Sequence, residues 1–237
     1  MHLLDNPIWS ALTTQQAYLA ESSDLARRFP PAVTSLAAFA EPTHDAYASL
    51  ARVLRGVPAG LFLPSRSAYP GDGCSLVREL ALLQMVYENG APLGSSPTHL
   101  PLGSADSSEM VELAELTHPG PFGPRTYELG TYLGIRVEGK LVAMAGERLR
   151  VPGYAEISAV CTHPAHLGRG YAASLMTTLV NHMRTRGETP FLHVAEENNR
   201  AIALYERLGF RVRRQFQLAI VQADKPRSSQ PSLSAGP

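Results

Sequence analysis

The run Tyr154-Ala155-Glu156-Ile157-Ser158-Ala159-Val160-Cys161-Thr162-His163-Pro164-Ala165-His166-Leu167-Gly168-Arg169-Gly170-Tyr171-Ala172-Ala173 decides how the chain folds. Its first half is β-prone and stops at Pro164, which has no N–H to give a sheet ladder. Its last residues open a helical spacing in which Tyr171, Leu175, Leu179, Val180 and Met183 recur every three or four positions, closed by Gly187. Between the two lies a loop with two glycines. Such a passage gathers free backbone amides and the positive end of a helix dipole at one place, which suits a phosphate or pyrophosphate.

The same rhythm extends outward in both directions. Upstream, Tyr132 to Val137 and Leu141 to Leu149 are β-prone runs separated by Glu138-Gly139-Lys140, a hairpin signal. A helix is predicted before them from about Asp106 to Leu116, with Met110, Leu113 and Leu116 on its inner face. Downstream, Pro190 to Val194 is a fourth strand, and Asn198 or Asn199 caps a helix through Leu208 that Gly209 stops. Phe210, Val212, Phe216, Leu218 and Ile220 then alternate like a last strand. Helix, three strands, helix, strand, helix, strand describes a mixed α/β sheet.

The front of the chain says less. Leu76, Leu80, Leu83 and Val86 or Tyr87 recur at helical spacing, so Leu76 to Tyr87 is predicted to be a helix, and Gly60 to Leu63 a strand. No catalytic constellation stands out there. Pro92 to Pro97 reads as a linker, and Lys225 to Pro237 is too poor in apolar residues to offset its ordering entropy. The expected organisation is an α/β region of unknown role at 1–95, a catalytic-type domain at 96–222 and a disordered tail at 223–237.

Composition narrows the function classes. The 237 residues are 44% hydrophobic and 18% charged, with 21 Lys plus Arg against 21 Asp plus Glu. No cationic surplus exists for holding a phosphate backbone, which argues against nucleic acid as a principal partner. The first residues lack a basic region followed by an apolar stretch, and no run of about eighteen apolar residues occurs, so neither secretion nor a membrane span is expected. Cys74 and Cys161 have neither metal-ligand nor disulfide spacing and read as small buried hydrophobes in a reducing cytoplasm. His163 and His166 stand in an H-x-x-H spacing, but Pro164 lies between them and no third ligand is near, so no metal is expected.

A dinucleotide is a rival ligand for the loop, because Gly168-Arg169-Gly170-Tyr171-Ala172-Ala173 fits G-x-G-x-x-A and Glu196 follows the next strand. A dinucleotide-binding strand enters its first glycine almost directly, whereas here Thr162 to Leu167 intervene. Too little chain follows Glu196 to complete a doubly wound domain.

Taken in order, Glu156-Ile157-Ser158-Ala159-Val160-Cys161-Thr162-His163-Pro164, the turn Gly168-Arg169-Gly170-Tyr171-Ala172, and Asn198-Asn199-Arg200-Ala201-Ile202-Ala203-Leu204-Tyr205-Glu206-Arg207-Leu208-Gly209-Phe210 resemble the GNAT superfamily of acyl-CoA-dependent N-acetyltransferases. The resemblance covers about residues 100 to 222. The front half is similar at most to the degenerate amino-terminal half of glycine N-acyltransferase-like members.

This resemblance implies a mixed, mostly antiparallel α/β sheet flanked by helices, acetyl-CoA as acyl donor, and a small-molecule or peptide amine as acceptor. It assigns the main chain of Val160, Cys161 and Thr162 to the pantetheine arm. The pyrophosphate falls to the amides of Leu167, Gly168, Arg169, Gly170, Tyr171 and Ala172. Asn198 is placed on the pantetheine, Tyr205 near the sulfur, and the amide near Val160 on the oxyanion. Leu167 departs from the pattern, which has arginine or glutamine there, and Arg169 is the candidate substitute donor.

Acetyl transfer needs a neutral amine, donors for the oxyanion and a proton for the thiolate. Tyr205, with an ordinary pKa near 10, suits the last role. Glu156, on the strand that leads to the loop, is the leading base and Glu147, on the neighbouring strand, the second candidate. His193 and the Thr117-His118-Pro119-Gly120-Pro121-Phe122 loop are expected to border the acceptor pocket. A non-catalytic acyl-CoA-binding or sensor protein is the alternative. Neither the acceptor nor the acyl chain length is legible in the residues.

Overall fold

Asn6 opens the first helix, its side-chain oxygen accepting from the Trp9 amide while Pro7 takes the first helical position, where a missing N–H costs nothing. In the computed structural model, which describes residues 2–65, 73–88 and 99–224, this helix is α1 (Pro7–Thr13). A small antiparallel sheet follows, formed by β1 (Glu21–Ser23), β2 (Ala26–Arg28) and β3 (Ala37–Phe39). Thr43 caps α2 (His44–Leu54), and β4 (Ala59–Leu63) and β5 (Cys74–Tyr87) complete the front half.

The back half contains β6 (Leu100–Leu102), α3 (Ser107–Thr117), β7 (Tyr132–Val137), β8 (Lys140–Val151), β9 (Tyr154–Thr162), α4 (Tyr171–Thr185), β10 (Thr189–Ala195), α5 (Asn199–Arg207) and β11 (Phe210–Ala223). The eight strands from β4 to β11 make one sheet in the order β4-β11-β5-β10-β9-β8-β7-β6. Every neighbouring pair is antiparallel except β9 and β10, which run parallel. This is the mixed α/β sheet expected from the order of elements, with the mostly antiparallel pairing that the resemblance implies.

The front half corrects the reading of Leu76 to Tyr87, which is a strand and not a helix. Leu83, Met85 and Tyr87 pack into the core beneath α4 and α5, while Leu80, Leu82 and Val86 pack into the opposite core with Leu4, Ile8 and Leu12. A strand apolar on both faces loses the period of two, and its leucines then fall by chance at helical intervals. The boundary expected near residue 95 does not divide the sheet, because β5 lies between β11 and β10. The linker at Pro92 to Pro97 and the tail from Lys225 lie outside the described residues; Ala223, assigned to the tail, ends β11.

No helix among the described residues is long and apolar enough to cross a membrane.

Candidate active site

The parallel pairing of β9 with β10 stops at Ile157 and Leu192. Beyond that point β10 stays with β5, through His193, Val194 and Ala195, and β9 stays with β8, through Cys161 and Thr162. The two strands therefore splay, and the edge of β9 from Ser158 onward turns unpaired main-chain groups toward a wedge, where an extended ligand can satisfy them. A bulge sharpens the splay. The register of β8 on β9 shifts between Met144 and Gly146, and Ala159 takes a left-handed φ of 53°.

After β9 the chain makes a short turn in which His163 Nδ1 accepts from the Ala165 amide. That bond uses one ring nitrogen for capping, and among the described residues no group of three or more His, Cys, Asp and Glu side chains could hold a metal ion. Gly168 and Gly170 have φ of 77° and 78°, and a Cβ at either would meet open space. Their requirement is thus backbone conformation rather than crowding. Gly170 is also the N-cap of α4 and supplies no side-chain cap, so the first-turn amides of the helix stay available.

A cavity of about 640 Å³ occupies the wedge. Every residue from Leu167 to Ala172 lines it, together with Val160, Cys161, Thr162 and Asn198, so the fold brings all the cofactor-side candidates to one place. Arg200 and Arg207 line it too, and sequence reasoning missed them. Their signal was available: both lie in the last helix motif, two turns apart and so on one face of it. Asn198 commits its Oδ1 to the Ala201 amide, 3.1 Å away, which leaves its amide NH2 for the cavity. Cys161 turns its thiol into the core beneath α3, where burial pushes it up to about 11. At neutral pH the thiol therefore keeps its proton.

Two further cavities lie on the other side of the splayed strands. One of about 280 Å³ shares Thr117, Val160, Asn198 and Tyr205 with the wedge cavity, and the other, of about 650 Å³, continues outward past Leu80, His118, Gly120, Pro121 and Leu218. His193 and the Thr117 to Phe122 loop, the segments expected to border an acceptor pocket, line these spaces. Tyr205 stands at the junction. Burial raises its hydroxyl to about 12, so it keeps its proton at neutral pH.

The two glutamates have different surroundings. Glu156 is fully buried; Arg148 Nε donates to its Oε2 at 2.9 Å and Arg148 Nη2 to its Oε1 at 2.5 Å. His193 Nδ1 is 2.7 Å from the same Oε1, and since a carboxylate only accepts, the imidazole proton sits on Nδ1. Gln84 Nε2 then donates to His193 Nε2 at 3.1 Å. Burial would raise the Glu156 carboxyl, but the Arg148 charge and these bonds outweigh it and hold it at about 2. A carboxylate so committed is a poor base, and it does not line any of the three cavities. His193, fully enclosed, is held below the usual imidazole value by burial despite the Glu156 charge.

Glu147 is further from the expected role. It accepts from Arg186 Nη2 at 2.8 Å, beside the Arg150, Arg186 and Glu188 ion pairs. Arg186 follows the end of α4, whereas the glycine loop precedes its start, about 22 Å away along the helix. The structure does not bring Glu147 together with Tyr205.

Known proteins match this geometry. Residues 132–218 match the family described as FR47-like protein. The chain is 34% identical over 120 residues to the N-alpha-acetyltransferase RimI of Mycobacterium tuberculosis, across 46% of this chain and 75% of that one. It is 39% identical to a protein of the GNAT family from Novosphingobium aromaticivorans whose crystal structure is known, with a TM-score of 0.88 over 95% of this chain and 100% of the other. A GCN5-related N-acetyltransferase from Kribbella flavida shares the fold, with 18% identity and a TM-score of 0.58 over 89% and 93% of the two chains. With a parted pair of strands, a glycine loop at a helix start and relatives that match both in sequence and in shape, the chain is an acyltransferase and belongs to the GNAT family of N-acetyltransferases.

Proposed function

We propose that the protein moves an acetyl group from acetyl-CoA to a primary amine by direct attack within a ternary complex. The observation that carries this reading is the meeting of two cavities at Val160, Asn198 and Tyr205, one lined by the glycine loop and the other by apolar strands. A donor laid in the first and an acceptor in the second would come face to face at the splay, with no need for a covalent acyl-enzyme.

The residues present fit the donor. Main-chain groups of Val160, Cys161 and Thr162 would pair with the pantetheine amides, and the Asn198 NH2 would donate to the same arm. Amides from Leu167 to Ala172, aided by the α4 dipole, would hold the pyrophosphate. Arg169, Arg200 and Arg207 line the same cavity and would add positive charge for the phosphates. Acetyl-CoA supplies the activated thioester; the chain supplies position and protons. The Val160 amide would donate to the carbonyl oxygen as it gains charge, and Tyr205 would return a proton to the sulfur as the C–S bond breaks and the N–C bond forms. His118, an exposed imidazole at the joint of the two acceptor-side cavities, is suited to carry away the amine proton. Glu156 becomes a positioning residue for Arg148 and His193 rather than the base.

Both cysteines are buried free thiols, which supports a reducing, cytoplasmic setting. Calorimetric titration with acetyl-CoA, with free CoA and NAD as controls, tests the donor assignment, and thiol release with a panel of primary amines tests the transfer. Binding of the CoA compounds alone followed by amine-dependent thiol release is expected. Saturable binding without thiol release from any amine would favour a non-catalytic acyl-CoA sensor.

A further inference from the structure

The cavity of about 280 Å³ has a charged group that the transfer chemistry leaves unused. Arg148 lines it with 9% of its side chain exposed. One edge of its guanidinium, Nε and Nη2, is bound to the two oxygens of Glu156, which fixes the plane of the group. Nη1 bonds to no described residue and is not among the buried polar atoms sealed from solvent, so its N–H groups open into the cavity. Phe62 lies under the guanidinium at 5.9 Å, closing its other side. Leu36, Leu80, Leu82, Leu192 and Val194 form the apolar part of the wall, His193, Ser158, Asn198 and Tyr205 add neutral polar groups, and no Asp or Glu is on it.

We infer that the acceptor is an amino acid, an amine carrying its own carboxylate, and that Arg148 is the residue that selects it. This deepens the acetyl-transfer reading and rests on it. Paired with Glu156, the guanidinium still turns N–H donors into a space whose wall carries no acid, so a polyamine or a lysine side chain would find donors there and no partner for its further charge. It favours a carboxylate, which would take two donors from the guanidinium edge turned to the cavity and leave the amine free to reach the Tyr205 end. Glu156, itself held by His193, gives the guanidinium one orientation, so the spacing from carboxylate to amine becomes a selection criterion. The apolar walls accept an uncharged side chain.

The test compares matched pairs in the thiol-release assay: leucine against leucinamide, and phenylalanine against phenylalaninamide, with spermidine as a further arm. The acids are expected to exceed their amides in kcat/KM by about tenfold to a hundredfold, the worth of a charge-assisted bond. Arg148→Lys keeps a charge for Glu156 while losing the fork. It is expected to raise KM for the acids about tenfold while leaving KM for the amides and for acetyl-CoA unchanged, a split that a merely structural role would not produce. If this variant does not fold, the wild-type pairs alone decide. Amides or spermidine turned over as well as the acids, or no acid turned over by a protein that binds acetyl-CoA, overturns the carboxylate assignment alone. No binding of acetyl-CoA overturns the transfer reading beneath it.

Discussion

Glu147 and Glu156 stand on adjacent strands, yet they serve opposite sides of the sheet. Glu147 faces Ile157 across the ladder, and directly opposed residues share a face, so Glu147 lies with Ile157 on the side of α4. Glu156, one residue away, points to the other face, where it meets Arg148 and His193. A sequence shows that both are strand carboxylates but not which residue opposes which. Glu147→Gln should therefore lower stability, by about 1–3 kcal/mol for a buried charged partner removed, and leave kcat unchanged; denaturant melts beside steady-state rates check this. Tyr205→Phe should do the reverse, lowering kcat by about a hundredfold with acetyl-CoA affinity kept. An unaltered kcat in the Phe variant would remove Tyr205 from the proton path.

At the scale of elements, the glycine loop and α4 behave as one device. Gly168 and Gly170 hold left-handed backbone in open space, so a methyl group at either site meets no wall and its cost is conformational, about 1–2 kcal/mol. Gly170→Ala is predicted to weaken acetyl-CoA binding about tenfold in calorimetry, and Gly170→Asn, which tolerates that backbone better, to weaken it less. Leu167 is 48% exposed at the mouth of the same loop and offers no donor. Leu167→Arg should tighten binding if a side-chain donor helps there, and an unchanged Kd would mean that the main-chain amides carry the grip. This device was legible because its parts are local. Pro164, the two glycines and Asn198 each act on backbone within a few residues, and β9 spans Tyr154–Thr162 as the β-prone run predicts.

For the whole molecule, the front half is structural to the catalytic sheet. A fragment of residues 96–237 would lack β4 and β5, leaving β11 without either neighbour and β10 without one. It is expected to aggregate or to show no cooperative melt, and a soluble fragment with a sharp transition would overturn this. The buried polar chain crosses the same junction, from Glu156 and His193 to Gln84 on β5, and on through Arg213 at 2.9 Å to Asp5. It also sets the acid response. Burial holds His193 and His99 below the ordinary 6.5, so the unfolded chain takes those protons first and stability declines as pH falls below about 6.5. The Glu156 carboxyl is at about 2 against an ordinary 4.5, so its contribution, full above 4.5, is lost as pH falls from there toward 2. Urea midpoints at about pH 7, 5 and 4 should fall in that order, and equal midpoints would contradict the buried network.

What the sequence by itself determined is what depends on neighbours along the chain: the order of the back-half elements, the hairpin at Gly139, the glycine turn, and the capping asparagine seven positions before Tyr205. Each of these is an interaction over a few residues, so a spacing is enough to reveal it. Only the tertiary structure decided that Leu76 to Tyr87 is a central strand, that the two glutamates part to opposite faces, and that Arg148 and Phe62 enclose a space beside Tyr205. Those outcomes turn on strand register and on which face each element covers, and register joins residues far apart in the chain.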